Sequence, residues 1–150
     1  MKKIAMLIFG LLLGSVAVTK AQFISAQDVP AEVHQDFTVK FPDQKRVDWE
    51  KDGNKYKASF KVNRFDYQLV YDNNGKLVTQ QSGIPTASLP TDVTSGISKN
   101  FPELKIAQAN KIEEKGKTSY KVVLKDENSA TENVTMTPEG MVIKTEIDEE

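Results

Sequence analysis

The sequence predicts an α+β protein made of two tandem repeats, each with one helix followed by about four antiparallel strands. The first observation is that "VPAEVHQDFTVKFPDQK" (29–45) aligns with "LPTDVTSGISKNFPELK" (89–105) at a constant offset of 60 residues. The second is that two strand-like stretches recur at offsets of 64 and 65: 55–62 as 119–126, and 67–78 as 132–143. Repeats of this length indicate one supersecondary unit written twice.

Each repeat opens with a predicted helix of about three turns. Apolar residues spaced four apart share one face of a helix, and both repeats have three of them: Val33, Phe37 and Phe41, then Val93, Ile97 and Phe101. Pro42 and Pro102 follow directly and end the helices. Helices this short are marginal in isolation, so we expect both to pack on one face of a sheet.

The stretches after each helix alternate apolar with polar residues, which is typical of half-buried strands. "YDNNGKL" is a strong turn signal, because Asn and Gly accept positive φ, and Leu77-Val78 then begins a short last strand. "TQQSGIPTAS" (79–88) has no apolar period, and we predict that it is the linker between the repeats. These patterns do not decide whether the repeats share one sheet.

The first 21 residues are predicted to be a secretory signal peptide. Lys2 and Lys3 precede an apolar run, and Thr19-Lys20-Ala21 supplies small residues around a cleavage point. The run is shorter than the roughly 20 residues of a membrane span, so we expect no span after cleavage near Ala21. The remaining chain, 22–150, is then a single domain of two repeats, about 25–82 and 86–147, in the periplasm or outside the cell.

Composition argues against several classes of function. Loss of three lysines with the signal peptide leaves 17 basic and 21 acidic residues, whereas nucleic-acid binding needs clustered Lys and Arg. The chain has no cysteine, which excludes thiol catalysis and soft-metal sites. The single histidine, His34, lies beside core-facing Val33, and no nucleophile motif accompanies it. We predict no catalytic residue, no cofactor and no enzymatic activity.

The stretch "DWEKDG" begins like an EF-hand calcium loop, with alternating acidic residues and glycine at the sixth position. Position 12 of such a loop is a bidentate Glu, and here it is Ser59. A hairpin explains the stretch better: Trp49 faces the helix, Asp48 and Glu50 face water, and residues 52–54 turn the chain. We therefore predict no metal site.

Aromatic residues are concentrated in the sheet of the first repeat. They belong either to the core or to an exposed patch on the sheet face away from the helix, which would bind a partner. Trp49 and Phe65 are the best candidates for such a patch, because neither has an aromatic counterpart in the second repeat. The candidate binding residues are Trp49, Phe65, Tyr67 and Tyr71.

A signal peptide, a helix ending in "FP", a strand containing "VDWEKDGNKY" and then "YQLVYDNNGKLV", written twice, resembles the PepSY-like family of secreted Bacteroidetes proteins. The resemblance covers nearly the whole mature chain. It implies helices packed on antiparallel sheet, as in the tandem-repeat beta-lactamase inhibitor protein, although that protein has disulfides and this chain has no cysteine. The second repeat departs from the pattern, with Ala107 and Ala109 in place of Val47 and Trp49.

Export, duplication and the missing catalytic motifs together predict a secreted periplasmic binding module. Its expected partner is another periplasmic or secreted protein, bound through a sheet face of the first repeat. Two alternatives are an inhibitor of a periplasmic hydrolase, either a protease or a beta-lactamase, and a small-ligand carrier or an enzyme without a visible motif. The sequence does not determine the oligomeric state.

Overall fold

The computed structural model describes residues 21–147, so the predicted signal peptide, apart from Ala21, lies outside the described residues. Its two helices are α1 (Ala31–Lys40) and α2 (Thr91–Asn100), each preceded by a 3-10 turn. The strands are β1 (Gln22–Ile24), β2 (Asp48–Asp52), β3 (Lys55–Val62), β4 (Phe65–Asp72), β5 (Leu77–Ile84), β6 (Lys105–Glu114), β7 (Lys117–Lys125), β8 (Thr131–Met136) and β9 (Val142–Ile147).

The nine strands form one antiparallel sheet in sequence order, so that every strand pairs with the next. Each repeat contributes one helix and four strands, α1 with β2–β5 and α2 with β6–β9, as the repeat pattern predicts. Directly opposed residues project from the same side of a sheet, and one such row runs Tyr67, Ser82, Lys111, Tyr120 and Met136. The row joins both cores, so both helices cover one face, the helix face. We call the other side the open face.

The predicted linker is wrong. Residues 79–84 continue β5, which pairs with β4 on one edge and with β6 on the other. The apolar period is missing there because β5 lies between the two helices, so that Gln80 and Ser82 need no apolar side chain even on the helix face. The repeats therefore share a central strand, and their sheets are continuous.

The two helices seal two separate cores on the helix face. Below α1 the buried residues are Val29, Val33, Phe37, Trp49, Tyr56, Ala58, Phe60, Leu69 and Tyr71. Below α2 they are Leu89, Val93, Ile97, Ala109, Val122, Leu124, Val134 and Met136. The apolar stripe predicted for each helix is confirmed, and full burial of each large apolar side chain contributes about 1.5–3 kcal/mol.

Two turns also hold the helices against the sheet. Gly75 and Gly140 have φ of 79° and 81°, and each lies against the first turn of a helix. A Cβ on Gly75 would come 2.6 Å from Glu32 Cβ, and a Cβ on Gly140 would come 2.1 Å from the Asp92 carbonyl oxygen. The β4–β5 and β8–β9 turns therefore dock closely on α1 and α2, respectively.

Candidate functional site

The stretch that begins like a calcium loop is the β2–β3 hairpin, as predicted. Asp48 lies directly opposite Ser59, and Gly53 turns the chain at a φ of 56°. Within residues 21–147, no group of three or more acidic or histidine side chains is placed to hold a metal ion. His34 is exposed on α1, with the Thr38 hydroxyl 3.4 Å from its Nδ1.

Of the two alternatives for Trp49, the core or a patch on the face away from the helix, the structure shows the core, so Trp49 is not part of an exposed binding patch. Trp49 is 4% exposed and meets the Phe37 ring edge-on, with centroids 5.3 Å apart. Tyr71 is fully buried in the same core, and Tyr67 stacks on Phe60 at 5.5 Å. The rings of Trp49, Tyr67 and Tyr71 all lie on the helix face. At this face the first core packs aromatic side chains where the second core packs aliphatic ones. A binding role for the partly exposed Tyr67 stays a prediction.

Tyr71 has a buried hydroxyl with no hydrogen-bond partner among the described residues. Burial raises the pKa of Tyr71 well above its usual value, and the nearby Asp36 carboxylate raises it further. Asp36 is itself paired with Lys40 on the next turn of α1, at 2.5 Å. The arrangement keeps Tyr71 protonated at neutral pH.

Phe65 has a different environment, at the junction of the two repeats. It is half-buried, and a Cβ on Gly83 would lie 3.1 Å from its ring. Pairing of β4 with β5 stops at Tyr67–Ser82, whereas β5 stays paired with β6 as far as Ile84–Ala109. The gap leaves a cavity of about 270 Å³, whose lining includes Arg64, Phe65, Asp66, Gly83, Gln108 and Asn110.

The sequence carries a signal for this junction. At the repeat offsets, Phe65 corresponds to Ala130 and Gly83 corresponds to Phe23. Both differences occur where the first repeat meets the second, because the outer ends of the sheet have no neighbouring repeat. Any larger residue at position 83 would press on Phe65, because an added Cβ would lie 3.1–3.2 Å from its side chain. Phe65 therefore differs from its counterpart because it lies at the junction, and it is the candidate that lines the junction cavity.

The open face is covered by no segment among residues 21–147. Polar and charged side chains dominate it, as in the row Asp48, Ser59, Gln68, Gln81, Ile112 and Ser119. Ion pairs cross it at both ends: Glu50–Lys57 and Lys61–Asp66 at 2.6 Å, Lys144–Glu146 at 2.5 Å and Lys121–Glu146 at 3.9 Å. With strands about 4.8 Å apart, the face is about 38 Å across.

A polar furrow separates the two cores on the helix face. Its floor is formed by Gln80 and Ser82 of β5 opposite Glu113 and Lys111 of β6. Lys111 Nζ lies 2.9 Å from Glu113 Oε1, and this hydrogen bond raises the pKa of Lys111. Charged side chains disfavour closure of the furrow, because closing it would remove them from water.

Neither helix of the described region is long and apolar enough to cross a membrane. The surface features of the described residues include the open sheet face, the junction cavity, the polar furrow between the helices and wider, shallower depressions, one of which is lined by Ile112, Ser119 and Thr135. The face and the cavity are neighbours, since Asp66, Gln108 and Asn110 project from the open face at the rim of the cavity.

The family model for "Putative beta-lactamase-inhibitor-like, PepSY-like" proteins matches the sequence twice, over residues 16–79 and 78–144. A similar solved structure is a DUF2874 family protein from Bacteroides uniformis, with a TM-score of 0.68 and 21% identity over 79% of this chain and 88% of that chain. A "putative periplasmic" protein from Bacteroides eggerthii has a TM-score of 0.70 and 17% identity, over 79% and 88% of the two chains.

A BLIP-like protein from Bacteroides fragilis has a TM-score of 0.63 and 12% identity, over 79% of this chain and 86% of that chain. Identities this low show a shared fold and nothing about a shared partner. No curated protein matches the sequence.

Proposed function

Because this chain belongs to the PepSY-like, beta-lactamase-inhibitor-like family, we propose that it is a non-enzymatic periplasmic module that binds another protein through its open sheet face. The family resemblance predicted from the sequence is confirmed by the match over both repeats. The observation that carries the proposal is the nine-stranded sheet, which is sealed by helices on one face and left uncovered by the described chain on the other. A periplasmic location is supported by the description of the Bacteroides eggerthii neighbour.

The chemistry of the open face suits a charged protein partner. Its Lys61–Asp66 and Lys144–Glu146 pairs are solvent-exposed, and exposed pairs stabilise a fold by about 0–1 kcal/mol each. A partner can therefore replace them with charges of its own at little cost in fold stability. Complementary charges across an interface select the partner and speed its association.

The junction cavity supplies an anchor point on this surface. Its volume of about 270 Å³ is below the roughly 300–1,000 Å³ of ordinary small-ligand pockets. It is therefore better suited to one protruding side chain of a protein than to a free ligand. Interface energy is concentrated in such anchors, and Trp, Tyr and Arg fill them most often. Arg64, Phe65 and Asp66 line this cavity and can contact either an aromatic ring or a guanidinium.

A matched pair of substitutions tests the open face. Gln81 lies near its middle, opposite Gln68 and Ile112, and Gln35 is exposed on α1. We expect Gln81→Trp to abolish cross-linked capture of a periplasmic partner, because the indole blocks close approach. Gln35→Trp makes the same change on the helix side and should leave capture at the wild-type level.

Quantitative mass spectrometry of the cross-linked species, with a thermal melt of each variant, provides the measurement. If both variants capture the wild-type partner equally, or Gln35→Trp alone loses it, binding does not occur through the open face. Phe65→Ala examines the anchor separately and should weaken capture without abolishing it.

Enzyme inhibition is the second candidate function. It is favoured by the description of the matching family and by the BLIP-like neighbour. A panel of periplasmic proteases and beta-lactamases, assayed with micromolar protein, tests it directly. Inhibition of one enzyme that Gln81→Trp removes would support an inhibitor acting through the open face. Full activity of every enzyme would reject inhibition.

A further inference from the structure

The last strand, β9, is an edge strand with exposed apolar side chains. All six of its residues are exposed, and no strand among residues 21–147 pairs with its outer edge. Four of the six exposed large hydrophobic residues lie in β9 or directly before it: Met141, Val142, Ile143 and Ile147. An exposed strand edge with apolar side chains is a template for pairing with another strand. At the opposite edge of the described sheet, β1 has three residues.

The fold contains its own precedent for pairing at this edge. At the repeat offset of 65, β9 corresponds to β5, and both strands have a bulge at equivalent positions: Val78 is the unpaired residue opposite β4, and Ile143 is the unpaired residue opposite β8. The outer edge of β5 is occupied by the antiparallel strand β6 over six residue pairs. A strand in this position of the repeat therefore accepts an antiparallel neighbour.

We propose that β9 pairs antiparallel with β9 of a second copy of this chain, about a two-fold axis perpendicular to the sheet. Thr145 lies on the axis and faces Thr145 of the other copy. Lys144 is then directly opposite Glu146 of the second copy, and Glu146 is opposite Lys144. The exposed Ile143 and Ile147 are brought next to each other at both ends of the paired segment.

Charge and symmetry select this register over its neighbours. A two-fold axis perpendicular to the sheet keeps each side chain on its own face, so only registers that place one residue opposite itself are allowed. A shift that centres the pairing on Lys144 opposes two lysines, and one that centres it on Glu146 opposes two glutamates. Only the register centred on Thr145 pairs opposite charges twice. The present Lys144–Glu146 pair within one copy is exchanged for two pairs between copies.

The interface is small, because each copy contributes one six-residue strand. It belongs with the weaker class that buries less than about 1,200 Å², so we expect dimers at micromolar and higher concentrations. The pairing leaves the open face accessible. The inference therefore stands or falls independently of the proposed function.

Reversing the charges of Lys144 and Glu146 tests the proposed β9–β9 register. Sedimentation equilibrium of the purified protein should show a monomer–dimer equilibrium. Glu146→Lys opposes four lysines across the axis, and Lys144→Glu opposes four glutamates, so either change should raise the dimer dissociation constant at least about tenfold. The double exchange restores opposite charges and should return the constant to within about threefold of wild type.

The control exchanges Lys61 and Asp66, an exposed ion pair on the open face distant from β9. Exchange of that pair should leave the dimer unchanged. Thermal melts of all variants separate loss of pairing from loss of fold. A monomeric wild type at several hundred micromolar overturns the proposal, as does a dimer insensitive to both single changes. Open-ended assembly also overturns it, because it would indicate pairing between β9 and β1.

A cysteine gives a second, positional test in a chain that has none. Thr145→Cys places two thiols opposite each other on the axis, within reach of a disulfide. Mild oxidation should therefore convert it to a covalent dimer. Thr135→Cys on the interior strand β8 should stay monomeric under the same oxidation. Equal cross-linking of both variants would show random collision and contradict the proposed pairing.

Discussion

The two cores fill nearly the same backbone arrangement with different side chains. The first is aromatic, with Phe37, Trp49 and Phe60 in edge-to-face contact. The second places Ile97, Ala109 and Leu124 at the corresponding positions. The two repeats therefore share the pattern of buried apolar positions and the strand register, whereas the side chains at those positions differ between the two cores. Cores tolerate such exchange when volume and pattern are kept.

The helix contacts differ in the same way. In the first repeat Asp36 lies beside buried Tyr71, and in the second repeat Gly96 occupies the position of Asp36. A Cβ on Gly96 would come 2.3 Å from the Gly140 carbonyl oxygen and 2.8 Å from Met136 Cε. Glycine costs a helix roughly 1 kcal/mol relative to Ala. Here it allows α2 to approach the β8–β9 turn more closely than a larger residue could.

The largest expected effect tests whether the two cores unfold as one unit. Leu124 is fully buried in the second core, and Leu124→Ala should lower the free energy of unfolding by about 3 kcal/mol. Trp49, the single tryptophan, lies in the first core and reports on it by fluorescence. Because β5 belongs to both sheets, Trp49 fluorescence and far-UV circular dichroism should shift to the same lower urea midpoint.

Val39→Ala is the control for this change, since Val39 is 76% exposed on α1 and should change stability by less than about 0.5 kcal/mol. A Trp49 midpoint unmoved by Leu124→Ala would mean that the repeats unfold separately despite their continuous sheet.

A smaller effect, a difference of about 1 kcal/mol between two Gly→Ala changes, distinguishes the two helix-docking turns. Gly140→Ala should cost about 3 kcal/mol, because its Cβ would meet the backbone of Asp92 in addition to the strain of positive φ. Gly75→Ala should cost less, about 2 kcal/mol, since its added Cβ would come no nearer than 2.6 Å to Glu32, compared with 2.1 Å to Asp92 for Gly140. Urea unfolding at neutral pH measures both.

Gly116→Ala is the matched control, with a φ of 78° and nothing within 4 Å of the added Cβ. It should cost about 1 kcal/mol, the cost of backbone strain alone. Equal costs at all three glycines would remove the distinction between the turns.

The smallest effect concerns the buried hydroxyl of Tyr71, which the second repeat replaces with Met136. Tyr71→Phe should leave stability at neutral pH unchanged or raise it by up to about 1 kcal/mol, because the hydroxyl has no hydrogen-bond partner. The raised pKa of Tyr71 means that the folded state favours the protonated form. That contribution is fully present below about pH 10 and is lost as the pH rises further.

Unfolding measured between neutral pH and pH 11 should therefore show a shallower alkaline loss for Tyr71→Phe than for wild type. The same Tyr-to-Phe change at partly exposed Tyr67 provides the comparison. An identical alkaline loss in wild type and Tyr71→Phe would contradict the assignment to the buried hydroxyl.

Local sequence patterns were sufficient to predict the duplication, both helices and the β2–β3 hairpin. These features depend on local spacing: apolar residues four apart define a helix face, and Gly53 turns the chain at positive φ. Ser59 at the twelfth position was sufficient to favour a hairpin over a calcium loop. The family resemblance followed from the same local patterns.

Contacts between residues distant in the sequence determine the role of β5, the burial of Trp49 and the position of Phe65. The sequence of β5 has no apolar side, because the strand lies below the furrow between the two helices. Its two neighbours, β4 and β6, belong to different repeats, so β5 is recognised as a strand only when both repeats are folded. Trp49 and Phe65 both lack an aromatic counterpart, yet one fills a core and the other lines a cavity. A repeat pattern shows which positions differ, whereas the neighbours brought together by folding determine whether each difference serves packing or a surface.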